Sequence, residues 1–147
     1  MAAWGGFLRG HAALTRALNQ QLVAEHGLTI NDYEVLLRLS AAPDKQMKRV
    51  ELARSLLLTP SGITRLLDGL QAAGWVEKGS CPSDARVTYA VLTDAGAAKL
   101  REAAATHLAD VDRLFSRRFD DEELETLAEL LGRLDSSGRS DACSPEP

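Results

Sequence analysis

The sequence predicts a mainly α-helical protein with a small β-wing, a winged helix-turn-helix flanked by long helices at either end. Three observations predict it. Residues 59–74 carry a helix start, an apolar stripe at helical spacing and a stop. Two β-rich stretches, residues 75–78 and 87–92, follow at once. Long helical patterns lie before and after this block.

Each element has its own warrant. Residues 2–26 read as one helix, with Trp4, Phe7, Leu8, His11, Leu14, Leu18 and Leu22 on one face and Gly27 as its stop. Gly5 and Gly6 weaken its first turn. Thr29 begins the second helix, with Asp32 completing a capping-box arrangement. Tyr33, Leu36, Leu37 and Ser40 are expected to face inward, and Ala42-Pro43-Asp44 to end the helix. Gln46-Met47-Lys48 suits a short third strand. Val50 to Leu57 forms the first helix of the helix-turn-helix; its N-cap is poor, so packing must hold it. Leu56-Leu57-Leu58 is expected to form the turn and plug the core.

The second helix of the pair is the best signalled. The Thr59 hydroxyl can accept from the free N–H groups of the first turn. Pro60 occupies the first helical position, where its missing N–H costs nothing. Ile63, Leu66, Leu67, Leu70 and Ala73 make the buried stripe, and Gly74 ends it. The opposite face shows Ser61, Gly62, Thr64, Arg65, Asp68 and Gly69. Small and hydroxylic residues with one long cation near a helix N-terminus suit close approach to phosphates and base edges. Residues 79–86 are more than a tight hairpin needs and are expected to project as a loop ending in Arg86.

Thr93 caps a long helix reaching about Arg118, with Leu100, Ala104, His107, Leu108, Val111, Leu114 and Phe115 near heptad spacing. Asp120 and Glu123 form a capping box for the last helix, whose stripe is Leu124, Leu127, Leu130, Leu131 and Leu134. Residues 136–147 lack apolar periodicity and are expected to be a disordered tail.

Composition narrows the function classes. At 147 residues and 45% hydrophobic the chain has room for one modest core. No apolar run is long enough to span a bilayer, and Arg9 and His11 interrupt any signal-like segment, so a cytoplasmic location and no membrane contact are expected. The net charge of −4 is unevenly spread. Residues 45–92 hold seven Lys/Arg against four Asp/Glu, while residues 93–147 hold seven against thirteen. The local field over residues 45–92, not the total, governs contact with phosphates. Gly-rich phosphate loops, C-x-x-C, H-E-x-x-H and G-x-S-x-G motifs are all missing, so no enzyme and no cofactor are expected. His11 and His107 lack a supporting Cys or Glu cluster, so no metal is expected either.

Glu51-Leu52-Ala53, Ser61-x-x-Thr64-Arg65-Leu66, Gly74-Trp75-Val76-Glu77, Asp84-x-Arg86 and Leu92-Thr93-Asp94-x-Gly96 appear in this order and spacing. Together they make the chain resemble the MarR family of bacterial transcriptional regulators, as far as about Leu134. The resemblance implies a single domain over residues 1–135. Its winged helix-turn-helix would span about 28–96, with dimerisation helices at about 2–26 and 94–135. It implies a homodimer that presents two recognition helices to double-stranded DNA, at half-sites about 10 bp apart. DNA contact is expected of Thr59, Ser61, Gly62, Thr64 and Arg65. The wing would add Arg86 in the minor groove, oriented by Asp84. Ala85 and Gly69 stand where many relatives have arginine, which lowers the expected charge at the interface. The family reading is a repressor relieved by a small aromatic ligand in a cleft, for which Trp4, His11, Arg16 and Tyr33 are the candidate lining residues.

Two readings compete. A winged-helix protein-interaction module would have no use for Ser61, Arg65, Asp84 and Arg86 together. A thiol-based redox sensor would act through Cys81 in the wing, the other cysteine, Cys143, being in the tail.

Overall fold

The structure is a computed structural model that describes residues 1–81 and 84–134, and side chains within that range except those of 81–86. The expected tail at 136–147, Cys143, and the side chains of Cys81, Asp84 and Arg86 lie outside the described residues. The chain runs α1 (Ala2–His26), α2 (Ile30–Ala41), a 3-10 turn (Pro43–Lys45), β1 (Gln46–Lys48), α3 (Arg49–Ser55), α4 (Pro60–Ala72), β2 (Val76–Cys81), β3 (Asp84–Leu92), α5 (Asp94–Ser116) and α6 (Asp121–Gly132). The strands form one antiparallel sheet in the order β1-β3-β2. Residues 1–110 form one compact unit and the chain from Val111 a second.

Local chemistry sets the helix ends. Gly27 takes the left-handed conformation at φ 66° and its N–H closes the last turn of α1. Thr29 and Asp32 cap α2 reciprocally, as do Asp120 and Glu123 at α6. Asn19 of α1 accepts from the Ile30 N–H at 3.0 Å, tying the second helix to the first. α3 has no side-chain cap and is held by packing, chiefly of Leu52 and Ala53.

The core of the first unit gathers around α2. Tyr33, Val35, Leu36 and Leu39 meet Leu22 and Leu28 on one side and Leu52, Ile63, Leu67 and Leu70 on the other. Val76, Ala90 and Leu92 close it from the sheet, Leu100 and Ala103 from α5. Each fully buried leucine contributes about 1.5–3 kcal/mol. Being packed on several sides, α2 buries a wide arc centred on Leu36, and this corrects its expected inward face. Val35 and Leu39 are buried, whereas Leu37 is exposed and the exposed Ser40 donates its hydroxyl to the Leu37 carbonyl at 2.7 Å.

Leu57 also departs from expectation. It is 94% exposed at φ 53°, while Leu56 and Leu58 pack against the core. The tight turn needs a left-handed residue at this point, and that conformation points the side chain to solvent. Ala73 is exposed because α4 stops at Ala72; Gly74, at φ 75°, then redirects the chain so that the Trp75 N–H reaches the Leu70 carbonyl.

The expected projecting loop at 79–86 is shortened at its start, where Gly79 and Ser80 are paired in the sheet; the register then shifts at Cys81, and residues 82 and 83 lie outside the described residues. β2 continues to Cys81 and β3 starts at Asp84, with Gly79 opposite Tyr89 and Ser80 opposite Thr88. Gly79 looks like a breaker in sequence. In the ribbon its bareness lets Val91 and Tyr89 close over it, since an added Cβ would lie 3.0 Å from a Val91 methyl.

Along α5, Leu100 and Ala103 are buried and Ala104 and His107 half-buried, but Leu108 is 63% exposed, against the heptad expectation. In α1 only Leu18 and Leu22 are buried; Trp4, Phe7, Leu8 and His11 are exposed. In the second unit the Phe115 and Phe119 rings lie 6.2 Å apart, and Arg118 donates to the Leu114 carbonyl at 2.7 Å. Leu124 and Leu127 are half-buried there, while Leu130, Leu131 and Leu134 are exposed. Among the described residues no helix is long and apolar enough to cross a membrane.

Candidate nucleic-acid interface

α4 is fixed from beneath and open above. Ile63, Leu67 and Leu70 are buried, so the helix cannot roll without exposing its stripe. At its start the Gly62 N–H donates to the Thr59 hydroxyl oxygen at 3.1 Å, and the Ser61 hydroxyl lies 3.2 Å from the same atom. Thr64 donates its hydroxyl hydrogen back to the Pro60 carbonyl at 2.8 Å, which leaves its oxygen lone pairs as acceptors. Arg65 is exposed, and among the described residues no acid pairs with it.

The two glycines of α4 differ. A Cβ on Gly62 would lie 3.2 Å from the Thr59 hydroxyl, so glycine there protects the cap itself. A Cβ on Gly69 would meet nothing within 4 Å, and nothing in the structure explains that glycine.

Of the expected DNA-contact residues, Thr59, Ser61, Gly62, Thr64 and Arg65 share the first two turns of α4 or its cap. Asp84 and Arg86 belong to the first residues of β3, and their side chains lie outside the described residues. Between α4 and the sheet runs a groove of about 80 Å³, lined among others by Arg49, Thr64, Asp68, Gln71, Lys78 and Thr88. That volume holds a water or two, not a small-molecule ligand. Arg49, Gln71, Lys78 and Thr88 were not singled out from the sequence. Gln71 is legible afterwards, one and two turns beyond Asp68 and Thr64 on the same helix face. Arg49 and Lys78 join the groove only through strand register, since β1 ends opposite Tyr89 and Lys78 lies opposite Ala90.

The candidate ligand residues differ in exposure. The rings of Trp4 and Phe7 stack at 6.4 Å and those of Phe7 and His11 at 6.3 Å, all on the exposed face of α1, where Arg16 is also exposed. Tyr33 is buried, its ring 4.5 Å from that of His107. Burial, then the Glu34 charge, pushes the Tyr33 phenol up. Burial pushes His107 down, outweighing the opposing pull of Asp110 and Glu34. The folded state thus prefers neutral His107 more than the unfolded chain does. Its contribution is complete above the ordinary histidine value of 6.5 and is lost as pH falls from there through the lower folded-state value. Melting measured from about pH 7.5 down to about pH 5.5 should show a smaller loss of stability for His107→Phe than for the wild type. Equal pH profiles would show that burial of His107 has no bearing on stability.

A buried helix-turn-helix with an open second helix and a β-ribbon beside it defines a winged helix-turn-helix. A MarR family model matches residues 26–87. AbsC, a MarR family transcriptional regulator from Streptomyces coelicolor, superposes with a TM-score of 0.80 at 32% identity, covering 90% of this chain and 89% of that one. Sco3205, another from Streptomyces coelicolor, was solved in complex with DNA; it superposes with a TM-score of 0.82 at 28% identity, covering 90% and 83%. The transcriptional repressor YetL of Bacillus subtilis is 31% identical over 111 residues, which is 76% of this chain and 66% of that protein. The chain belongs to the MarR family and is a transcriptional regulator of the winged-helix type.

Proposed function

We propose that the protein is a homodimeric repressor that binds a pseudo-palindromic operator in double-stranded DNA, with residues 1–135 acting as one functional unit. α4 enters the major groove and the tip of the β2–β3 ribbon reaches the flanking minor groove. The observation that carries this reading is Arg65: an exposed cation with no acid partner among the described residues, one turn into a capped helix whose other face is locked in the core. Thr59, Ser61, Gly62 and Thr64 form the surface beside it, and Asp84 and Arg86 belong to the ribbon tip. The DNA complex of Sco3205 and the repressor name of YetL support the same direction. The exposed apolar residues of α1, of α6 and of the turn after it support a dimer: Trp4, Phe7 and Leu8 at one end of the chain, Leu130, Leu131 and Leu134 towards the other. Relief of repression would come from a small aromatic ligand, with Trp4, His11 and Arg16 offered on α1 and Tyr33 at the core edge.

Two substitutions test the DNA reading. A bidentate Arg65 contact to guanine is worth about 1–3 kcal/mol of discrimination. Arg65→Ala should weaken operator binding and flatten the preference at one base pair per half-site. Arg86→Ala should weaken binding on all sequences and lower the salt slope by roughly one charge per subunit. Affinities on an operator library at several salt concentrations separate the two. Wild-type affinity and selectivity in both variants would mean that this face does not read DNA.

A further inference from the structure

The groove between α4 and the sheet holds donors that the fold does not use. Its base is apolar: Leu67 of α4 with Val76 and Ala90 of the sheet, all buried. Side chains alternate along a strand, so Lys78 shares the face of Val76, and Thr88 that of Ala90. Lys78 lies opposite Ala90, which puts all four on the side of the sheet that packs into the core. Glu77 borders the same groove, but alternation turns its carboxylate to the other face. Arg49 comes from a third element, immediately after β1, whose last residue pairs with Tyr89. Arg49 and Lys78 therefore flank β3 from its two sides. Two strand spacings, roughly 10 Å, separate their backbones, a gap that two extended side chains can close around one anion.

The neighbouring lysines are engaged, Lys45 by Asp94 and Lys48 by Glu51. Among the described residues, the side chains of Arg49, Lys78, Gln71 and Thr88 make no hydrogen bond, and neither cation pairs with the Asp68 carboxylate in the same groove. Two cations, an amide and a hydroxyl thus face one another with donors to spare. The size of the groove says what they take. About 80 Å³ admits the non-bridging oxygens of a phosphodiester whose chain runs outside, not a whole small molecule.

We infer that Arg49 and Lys78 hold one phosphate of the DNA backbone between α4 and the ribbon, with Gln71 and Thr88 as neutral donors beside it. The inference rests on the reading that α4 faces DNA, and adds what positions it there. A phosphate contact carries no sequence information; it sets the register and depth at which Arg65 meets the bases. Asp68 offsets one of the two cations, so binding to DNA of arbitrary sequence stays weak.

Because the contact is blind to sequence, the test needs no operator. Affinity of the full chain for a random-sequence duplex is measured over a series of salt concentrations. Arg49→Gln and Lys78→Gln should each weaken binding roughly fivefold, the upper worth of an exposed ion pair. The double variant should lower the salt slope by about one phosphate per subunit, not two. Asp68→Asn should tighten binding to the same duplex. Arg101→Gln removes an equal charge from an exposed position on α5 and should change neither affinity nor slope. Melting temperatures near that of the wild type verify the fold of each variant. Wild-type affinity and slope in the double variant, or an equal loss in Arg101→Gln, would overturn the proposal. A slope lowered by two phosphates would also overturn it, since each cation would then have its own. If the double variant binds as the wild type does while Arg65→Ala still weakens operator binding, the phosphate seat fails and the DNA reading stands. A wild type that binds no duplex at any salt concentration removes both.

Discussion

Gly96→Ala should cost about 3 kcal/mol or more, a large fraction of the stability of a small domain. A Cβ at this position would lie 2.0 Å from the Trp75 carbonyl oxygen and 2.9 Å from a Leu92 methyl. The carbonyl cannot swing aside, because it accepts from the Thr93 N–H at 3.2 Å. Thr93 in turn donates to Gly74 and accepts from the Gly96 N–H at 3.0 Å. Moving one member breaks the joint where α4, β2 and α5 meet. Gly69→Ala is the matched control: its Cβ meets open space, so it should be neutral or stabilising by up to about 1 kcal/mol. Urea titration of both variants decides the matter. If Gly96→Ala unfolds at the same urea concentration as the wild type, the backbone at this joint is softer than the packing implies.

The second large effect is expected at α6. Leu130, on a helix whose first turn is strongly capped, and Leu134, in the turn after it, are 49% and 70% exposed. On the dimer reading this face is covered by the partner. Leu130→Glu with Leu134→Glu would then bury unpaired carboxylates, at about 3–5 kcal/mol. That corresponds to a loss of dimer affinity of roughly a hundredfold to several thousandfold. Sedimentation should find monomer, with helical content near that of the wild type because both side chains are solvent-facing within one chain. A dimer of undiminished affinity would place the interface elsewhere. A wild type that is itself monomeric would instead remove the dimer from the proposed function.

How much of this was legible in the sequence depended on distance along the chain. The caps at Thr29, Thr59, Thr93 and Asp120 could be read because donor and acceptor lie three residues apart. The same holds for the Gly27 stop. Leu37 and Leu57 could not be placed by periodicity, because their exposure follows from how α2 is surrounded and from the φ demanded by one turn. Gly79 and its neighbours looked like a loop because a strand is defined by its partner, here Tyr89 and Thr88. For the candidate interface, the exposed side of α4 was readable residue by residue. The contributions of Arg49 and Lys78 were not, since only the fold of the sheet sets them next to Thr64 and Asp68. His26 and Thr106, 80 positions apart, leave no local trace of their contact.

The sheet order has a mechanical consequence. β3 is held on both sides only where β1 reaches it, at Tyr89, Ala90 and Val91; from Thr88 outward it has β2 alone. The ribbon is therefore a cantilever, clamped on both sides at its root and on one side beyond it. Beyond Tyr89 that pairing is itself irregular: Ser80 faces Thr88, and the next residue, Cys81, faces Asp84. A rotation at the root, where Ala90 and Leu92 are packed, is thus carried outward along β2 and β3 together.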